Sequence, residues 1–198
     1  MSGPHEIDSH DPLELFDSWL KDAEESEPND ANAAALATST ADSAPSVRMV
    51  LVKPIAGQRF SFFTNAESRK GREIAENPRA ALCFHWKTLR RQVRVEGPIA
   101  ELGASAVDTY FHSRPRESQI GAAISDQSRV LASRAELEDR ARRFAEANPG
   151  EIPRPAHWRG YSVNAERMEF WISGANRLHD RFLFTKQGGR WQKVRLYP

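Results

Sequence analysis

Residues 79–102 read "RAALCFHWKTLRRQVRVEGPIAEL", and this stretch decides the fold class. It holds two runs with the composition of strands, residues 79–86 and 91–102, joined by a short polar connection. Strands that follow one another so closely are typical of antiparallel barrels and sandwiches. We therefore expect an antiparallel β-structure around these two strands.

The pattern on either side of this stretch adds strands and helices. Further strands are predicted at residues 33–40, 46–54, 59–65, 157–172, 181–187 and 190–198, with a hairpin turn at Gly188 and Gly189. Helices are predicted at residues 11–26, 67–78, 103–114, 117–126 and 133–148. The class is α+β, dominated by β-structure, with one domain at residues 11–198 behind a flexible leader at residues 1–10.

Charge is distributed unevenly along the chain. Its formal net charge is +1, but residues 1–46 contain eleven acidic residues and one basic residue, Lys21. The remaining residues carry 27 basic and 16 acidic side chains. A basic folded body favours an anionic ligand, either a phosphorylated small molecule or a nucleic acid.

Several functional classes lack their motifs in this sequence. The single cysteine, Cys83, permits no intramolecular disulfide, and we expect a buried thiol on a strand. The start of the chain has no signal-peptide pattern, and no apolar run approaches 18 residues, so we expect a soluble cytoplasmic protein with no membrane contact. No nucleophile elbow, metal-ligand spacing, phosphate loop or dinucleotide fingerprint is present.

Two basic, hydroxyl-rich segments are candidate anion sites. Ser68, Arg69 and Lys70 occupy the predicted start of a helix, where free N–H groups and the helix dipole favour a phosphate. Tyr110, Arg114 and Ser118 lie within nine residues of one another, in "YFHSRPRESQ". Such hydroxyl and guanidinium groups can coordinate one phosphate through charge-assisted hydrogen bonds. Taken singly, either segment could equally be an ordinary solvated helix end.

Residues 176–181, "NRLHDR", lie between two predicted strands. If this segment is extended, Arg177, His179 and Arg181 share one face at intervals of about 7 Å, and Leu178 and Asp180 share the other. Such a row of cations in a partly buried site requires an anion. We expect Asp180 to be structural and to pair with a neighbouring base or with backbone.

The order and spacing of these segments resemble the pyridoxine/pyridoxamine 5′-phosphate oxidase family from about Asp11 to Pro198. The resemblance is carried by "RMVLVK", "FTNAESRKGREIAENPRAAL", "RRQVRVEG", "YFHSRPRESQIGA", "QS" and "EFWISGANRLHDRFLF", followed by "RLYP". It implies an FMN-binding split β-barrel with peripheral helices. It also implies a homodimer with the flavin at the subunit interface.

The resemblance also implies roles for individual residues. The flavin would be lined by Arg48, Met49, Val50, Leu51, Val52, Lys53, Phe63, Thr64, Arg69, Lys70, Gln92, Gln127, Ser128, Trp171 and Arg181. The substrate phosphate would be held by Lys53, Tyr110, Arg114 and Ser118. Arg177, Leu178 and His179 would lie at the pyridine ring, and Arg177 and His179 are the candidate catalytic residues.

The implied reaction oxidises pyridoxine 5′-phosphate or pyridoxamine 5′-phosphate to pyridoxal 5′-phosphate. Hydride passes from the substrate carbon to the flavin, and O2 then reoxidises the flavin and yields H2O2. Three features depart from the family pattern. Phe63 replaces a frequent Tyr, His85 replaces a Pro, and the leader is acidic instead of basic.

Three other readings stay open at this point. One is a phenazine-pathway flavin oxidase on the same barrel, although relatives of that kind usually lack the substrate-phosphate set. A second is a split-barrel protein that binds flavin or haem without catalysis. The third is a nucleic-acid binder that uses the basic body, which predicts a steep dependence of binding on salt.

Overall fold

A computed structural model describes residues 7–198. The strands are β1 (Ala33–Ser39), β2 (Pro45–Leu51), β3 (Lys53–Ile55), β4 (Gln58–Asn65), β5 (Arg79–Trp86), β6 (Arg91–Glu101), β7 (Trp158–Val163), β8 (Arg167–Ile172), β9 (Asp180–Gln187) and β10 (Arg190–Leu196). The helices are α1 (Pro12–Ser26), α2 (Arg69–Glu76), α3 (Ala104–Ser113), α4 (Arg116–Ile124) and α5 (Arg134–Ala147). The predicted β-dominated α+β class is confirmed.

All strands join one antiparallel sheet that curls around strand β6. The main path runs β10-β9-β8-β6-β5-β1-β2, and β7, β4 and β3 branch from β6. Residues Arg91–Glu96 of β6 pair with β8, whereas residues Ile99–Glu101 pair with β7. The eleven residues of β6 therefore belong to both arms of the sheet, and the quoted stretch is its centre.

Gly97 lies where β6 passes from one arm to the other. A Cβ atom at this position would lie 1.9 Å from the carbonyl oxygen of Asn164, in the turn between β7 and β8. That turn is tied to β6 by hydrogen bonds from Asn164 N to Pro98 O (2.8 Å) and from Glu166 N to Glu96 O (2.9 Å). Only glycine permits backbone to approach backbone so closely.

The core consists of a large and a small apolar cluster. In the large cluster, helix α1 packs Phe16 edge-on against Phe60 and Phe84, with ring centroids 4.9 Å apart in both pairs. The inner face of the sheet supplies most of the other side chains in this cluster. The small cluster lies under α3 and α4 and contains Phe111 and Trp158. Aromatic pairs of this geometry add to the stabilisation that comes from burying apolar area.

Helix α1 has a capped N-terminus. The side chain of Asp11 accepts a hydrogen bond from Leu13 N at 2.8 Å, and Pro12 begins α1, as predicted. Of the predicted flexible leader, residues 1–6 lie outside the described residues. Ile7 is buried, and Lys193 Nζ donates to its carbonyl oxygen at 2.6 Å.

Two predicted strands are each broken in two, and the segment that follows β8 is not extended throughout. The predicted strand at residues 157–172 ends at Val163 and resumes at Arg167, because residues 164–166 form the turn that bonds to β6. The predicted strand at residues 46–54 is interrupted at Val52. The N–H of Val52 donates to Asn32 O, and its carbonyl oxygen accepts a hydrogen bond from the side chain of Asn32. On either side of this residue, β2 pairs with β1 and β3 pairs with β4. The segment at residues 176–181 is extended only from Asp180 onward. Before that point the chain forms a 3₁₀ turn, in which Asn176 and Arg177 have φ values of 54° and 64°.

Two further observations bear on the functional class. Within residues 7–198, no helix is long and apolar enough to cross a membrane. The same residues contain no group of three or more His, Cys, Asp or Glu side chains that could hold a metal ion. Cys83 lies on β5 as predicted but is only half-buried, and burial raises the pKa of its thiol.

The contact at Gly97 leads to a stability prediction. Gly97→Ala should lower the free energy of unfolding by about 2–3 kcal/mol, because the added methyl group forces the turn between β7 and β8 away from β6. Gly121→Ala is the matched control, since its Cβ would meet nothing within 4 Å in helix α4. The control should raise stability by up to about 1 kcal/mol. Urea unfolding of the two variants tests this, and equal stabilities would contradict it.

Candidate active site

A basic cluster surrounds the N-terminus of α2. Ser68 caps this helix, since its hydroxyl accepts a hydrogen bond from Gly71 N at 3.3 Å. Lys70 Nζ donates to Thr64 Oγ1 at 3.1 Å and to Gln127 Oε1 at 2.9 Å. A helix start carries the positive end of the helix dipole, and with a lysine beside it this is a natural site for a phosphate.

The loop after α4 completes this cluster. Ser128 has a φ of 73°, and its hydroxyl accepts a hydrogen bond from Arg69 N at 3.2 Å. Gln127 precedes it and bonds to the lysine described above. The structure thus brings Thr64, Arg69 and Lys70 together with Gln127 and Ser128, which lie about 60 residues further along the chain. All five are among the residues expected to line the flavin.

A buried carboxylate lies beneath the cluster. The side chain of Glu73 is 3% exposed and forms ion pairs with Arg69 (2.9 Å) and Arg48 (3.2 Å). It also accepts hydrogen bonds from the hydroxyls of Thr38 and Ser46. Together with the neighbouring lysine, the three cations and one carboxylate leave a formal charge of +2.

These contacts shift two pKa values. Burial alone would raise the pKa of Glu73, but hydrogen bonds from two hydroxyls and two guanidinium groups outweigh it and lower that pKa to about 2. Burial, and after it the charge of Arg48, lower the pKa of Lys70. The carboxylate is therefore ionised at neutral pH, and it offsets a local excess of positive charge.

A second group lies on the outer face of the sheet. Gln92, Trp171 and Arg181 are direct neighbours across β6, β8 and β9. Arg181 donates to Glu169, which is 4% exposed, at 2.9 Å, and Arg94 donates to the same carboxylate at 2.6 Å. A single buried carboxylate again holds two arginines.

The turn before β9 places His179 against Trp171. Their ring centroids are 4.6 Å apart, and His179 Nδ1 accepts a hydrogen bond from Gly174 N at 3.1 Å. A Cβ on Gly174 would meet Leu178 O at 1.7 Å, so this tight turn requires glycine. Asp180 pairs with Arg195 at 2.6 Å, which confirms its predicted structural role.

This turn and the end of the chain border an open pocket of about 470 Å³. Its lining consists of residues 178–180 and 195–198. Arg177 is exposed and lies in the left-handed part of the turn instead of sharing a strand face with Arg181. The condition for a single row of three cations, an extended segment, is therefore not met, because the turn separates Arg177 from the strand.

A third group is built on an aromatic stack. Phe63 stacks on Tyr110 at 4.1 Å and on Trp158 at 4.9 Å between ring centroids. The guanidinium of Arg114 lies 5.1 Å from the ring centroid of Trp158. Its Nη1 atom is buried and has no hydrogen-bond partner among the described residues. Burial lowers the pKa of Arg114 and raises that of Tyr110.

The other predicted site residues lie on β2 and β3, between these two strands, near the start of α4, and in the turn before β9. On β2, Met49 and Leu51 are 63% and 48% exposed, whereas Val50 is half-buried. Val52 is buried and Lys53, on β3, lies opposite Ser61. Ser118 is half-buried near the start of α4, and Leu178 is 70% exposed.

Two family models match the chain. Residues 20–147 match the model described as pyridoxamine 5′-phosphate oxidase. Residues 158–198 match the pyridoxine 5′-phosphate oxidase C-terminal dimerisation region. The chain belongs to the pyridoxamine 5′-phosphate oxidase family.

Similar members of this family cover nearly the whole chain. A pyridoxine/pyridoxamine 5′-phosphate oxidase of Erythrobacter litoralis is 54% identical, over 98% of this chain and 93% of its own length. A protein of the same name from Gluconobacter oxydans is 52% identical, over 95% of this chain and 94% of its own.

Solved structures show the same fold. PhzG from Burkholderia lata 383, in complex with tetrahydrophenazine-1-carboxylic acid, superimposes with a TM-score of 0.90 at 29% identity, covering 96% of this chain and 94% of PhzG. A pyridoxamine 5′-phosphate oxidase-related, FMN binding protein from Nostoc punctiforme has a TM-score of 0.79 at 14% identity, covering 96% and 100%. The predicted split-barrel class is confirmed.

The structure adds residues that sequence reasoning missed. Glu73 and Glu169 each hold two arginines, and Trp158 supports the aromatic stack. Glu73 follows Arg69 by four residues on one helix, a spacing that places opposite charges together. Glu169 precedes Trp171 by two residues on one strand, so their side chains share a face. These two spacings in the sequence indicate that Glu73 lies beside Arg69 and that Glu169 shares a strand face with Trp171.

The buried carboxylate of this family member predicts a pH dependence of stability. The pKa of Glu73 is lowered in the folded state, so its stabilisation is complete above the unfolded pKa of about 4.3 and is lost as pH falls toward 2. Between those limits the loss is of order 3 kcal/mol. The difference in unfolding free energy between wild type and Glu73→Gln should therefore shrink from pH 6 to pH 3. A constant difference in urea titrations would contradict this.

Proposed function

We propose that this protein is an FMN-dependent oxidase that converts pyridoxine 5′-phosphate or pyridoxamine 5′-phosphate to pyridoxal 5′-phosphate. The observation that carries the proposal is the 54% identity, across nearly the whole chain, to a relative named for these two substrates. The geometry supports it, because the described residues offer separate basic sites suited to two phosphate groups.

The cluster at the start of α2 fits the phosphate of FMN. A phosphate monoester carries a charge of about −1.5 to −2 at neutral pH, which matches the formal +2 of the cluster. Lys70, Arg69 and Ser128 would hold the phosphate oxygens. Gln92, Trp171 and Arg181 would line the remainder of the flavin from the outer face of the sheet.

A homodimer would complete the site. The match to a dimerisation region at residues 158–198 supports this assembly. Val47, Met49 and Leu51 lie at alternate positions on β2 and are 68%, 63% and 48% exposed. An apolar row of this kind on an edge strand is typical of an interface. We place the flavin between the two copies, where groups from both can reach it.

Arg114 is the central residue of the proposed substrate-phosphate site. Its buried Nη1 atom has no hydrogen-bond partner within residues 7–198. The side chain lies beside Tyr110, and its guanidinium lies over the ring of Trp158. Lys53 and Ser118 would supply further contacts to the phosphate. The replacement of a frequent family Tyr by Phe63 leaves the stack intact without a hydroxyl group.

The chemistry divides between cofactor and protein. When bound, the flavin accepts a hydride from the substrate and passes electrons to O2. The protein's own residues bind and orient: two anchored phosphates fix the separation between the substrate carbon and the flavin. Arg177 and His179 would hold the pyridine ring on its other side, with His179 steadied by Trp171 and the backbone of Gly174.

The decisive experiment is turnover by the purified, flavin-loaded protein. We expect pyridoxine 5′-phosphate and O2 to give pyridoxal 5′-phosphate and H2O2 in equal amounts, and pyridoxamine 5′-phosphate to release ammonia as well. Flavin bands in the visible spectrum, together with the aldehyde product and peroxide, are the readouts. Turnover of tetrahydrophenazine-1-carboxylic acid in place of both vitamers would instead support the phenazine-pathway alternative, since PhzG shares this fold.

The proposed substrate site predicts that a substitution of Arg114 weakens substrate binding without weakening FMN binding. Arg114→Met keeps the apolar stem but removes the buried cation, so KM for pyridoxine 5′-phosphate should rise by about 30-fold or more. FMN binding should stay within about twofold of wild type, because Arg114 is not part of the cluster proposed to hold the FMN phosphate. Arg143→Met, at an exposed ion pair on α5, is the matched control and should behave as wild type. If the Arg114 variant loses flavin in parallel with turnover, this assignment is wrong.

The cytoplasmic location, the flexible leader and the single domain at residues 11–198 stay predictions.

A further inference from the structure

Three cations crowd together at the proposed FMN phosphate site. Arg48 lowers the pKa of Lys70 through its charge, so the two side chains are close neighbours. Arg69 begins the helix that carries Lys70. Mutually repelling cations on flexible stems would spread into solvent unless something holds them. In the structure, Glu73 has the position to do this.

The two oxygens of Glu73 divide the contacts between them. Oε1 accepts from Arg69 Nε at 2.9 Å, and Oε2 accepts from Arg48 Nη2 at 3.2 Å. Oε2 also accepts from Thr38 on β1 and Ser46 on β2. The carboxylate therefore connects two strands and a helix, and both guanidinium groups are oriented from one buried point.

Arg48 is held from further sides as well. Its Nη1 donates to Leu36 O at 3.2 Å and to the Thr38 hydroxyl, and its Nη2 donates to the Ser46 hydroxyl. Its side chain is only 20% exposed. A guanidinium with this many fixed partners keeps a single orientation, and its charge is available to an anion without reordering.

We propose that Glu73 is a positioning residue for the flavin phosphate, which it serves by orienting Arg48 and Arg69 without touching the phosphate itself. This inference rests on the proposed function, because it concerns the same cofactor site. It goes beyond that function because it assigns a binding role to Glu73, a carboxylate that lies close to the site proposed for the negatively charged FMN phosphate.

Neutralising Glu73 should change FMN affinity in opposite directions, depending on whether this carboxylate positions the arginines or only repels the phosphate. A carboxylate close to a phosphate repels it, so its neutralisation would tighten FMN binding if the arginines stayed in place. If Glu73 holds the arginines, neutralisation releases them and FMN binding weakens. Riboflavin, which lacks the phosphate, should then be insensitive to the change.

The experiment compares FMN and riboflavin on the full-length protein, stripped of flavin and titrated by fluorescence. For Glu73→Gln we expect the Kd for FMN to rise by about tenfold or more, with the Kd for riboflavin changed by less than about twofold. Glu76→Gln is the matched control, because Glu76 lies one turn further on the same helix, is exposed and reaches only Ala41 N at 3.4 Å. The control should change neither constant.

Ser46→Ala serves if the Glu73 variant does not fold. It removes one hydroxyl shared by Glu73 and Arg48, so the Kd for FMN should rise by about threefold, again without an effect on riboflavin. Unchanged or tighter FMN binding by the Glu73 variant overturns the inference, and so does an equal loss of FMN and riboflavin. A wild-type protein that binds neither flavin overturns the proposed function, and the inference with it.

Discussion

The close approach of backbone at Gly97 is the constraint on which the rest of the fold depends. Strand β6 can belong to both arms of the sheet only if the turn between β7 and β8 packs directly on it. That arrangement places β8 beside the first half of β6, with β9 next to β8, and places β7 beside the end of β6, with β4 next to β7. The outer-face group and the aromatic stack are thereby attached to one continuous strand system.

Buried carboxylates organise the basic residues that this frame presents. Glu73 and Glu169 are each nearly inaccessible to solvent, and each accepts hydrogen bonds from two arginines. A buried carboxylate is costly unless its lone pairs are satisfied, and two arginines satisfy them well. Two arginines on one carboxylate leave a formal charge of +1 in each of these pairings. Glu73 and Glu169 thus fix the orientation of these arginines in the folded protein without a ligand.

Much of this could be predicted from the sequence, because local patterns determine local structure. The strand-like composition of residues 79–102 predicted β5 and β6, and the residue types at Asp11 and Ser68 predicted helix starts that the structure contains. The turn at residues 174–179 could not be predicted in this way, since its side-chain alternation imitates a strand while Gly174 permits a tight loop. Nor could the burial of Glu73 be predicted, because it depends on Thr38 and Ser46, 35 and 27 residues away.

The left-handed turn at Asn176 and Arg177 has a consequence for the thermodynamics of recognition. A non-glycine residue in this conformation costs about 1–2 kcal/mol, and here two occur in succession. Hydrogen bonds from Leu178 N and His179 N, and the packing of His179 on Trp171, hold the turn in place. The backbone entropy of this loop is therefore lost once, when the chain folds. A ligand that meets Arg177 finds a loop already ordered, so less of its binding free energy is consumed in ordering the protein.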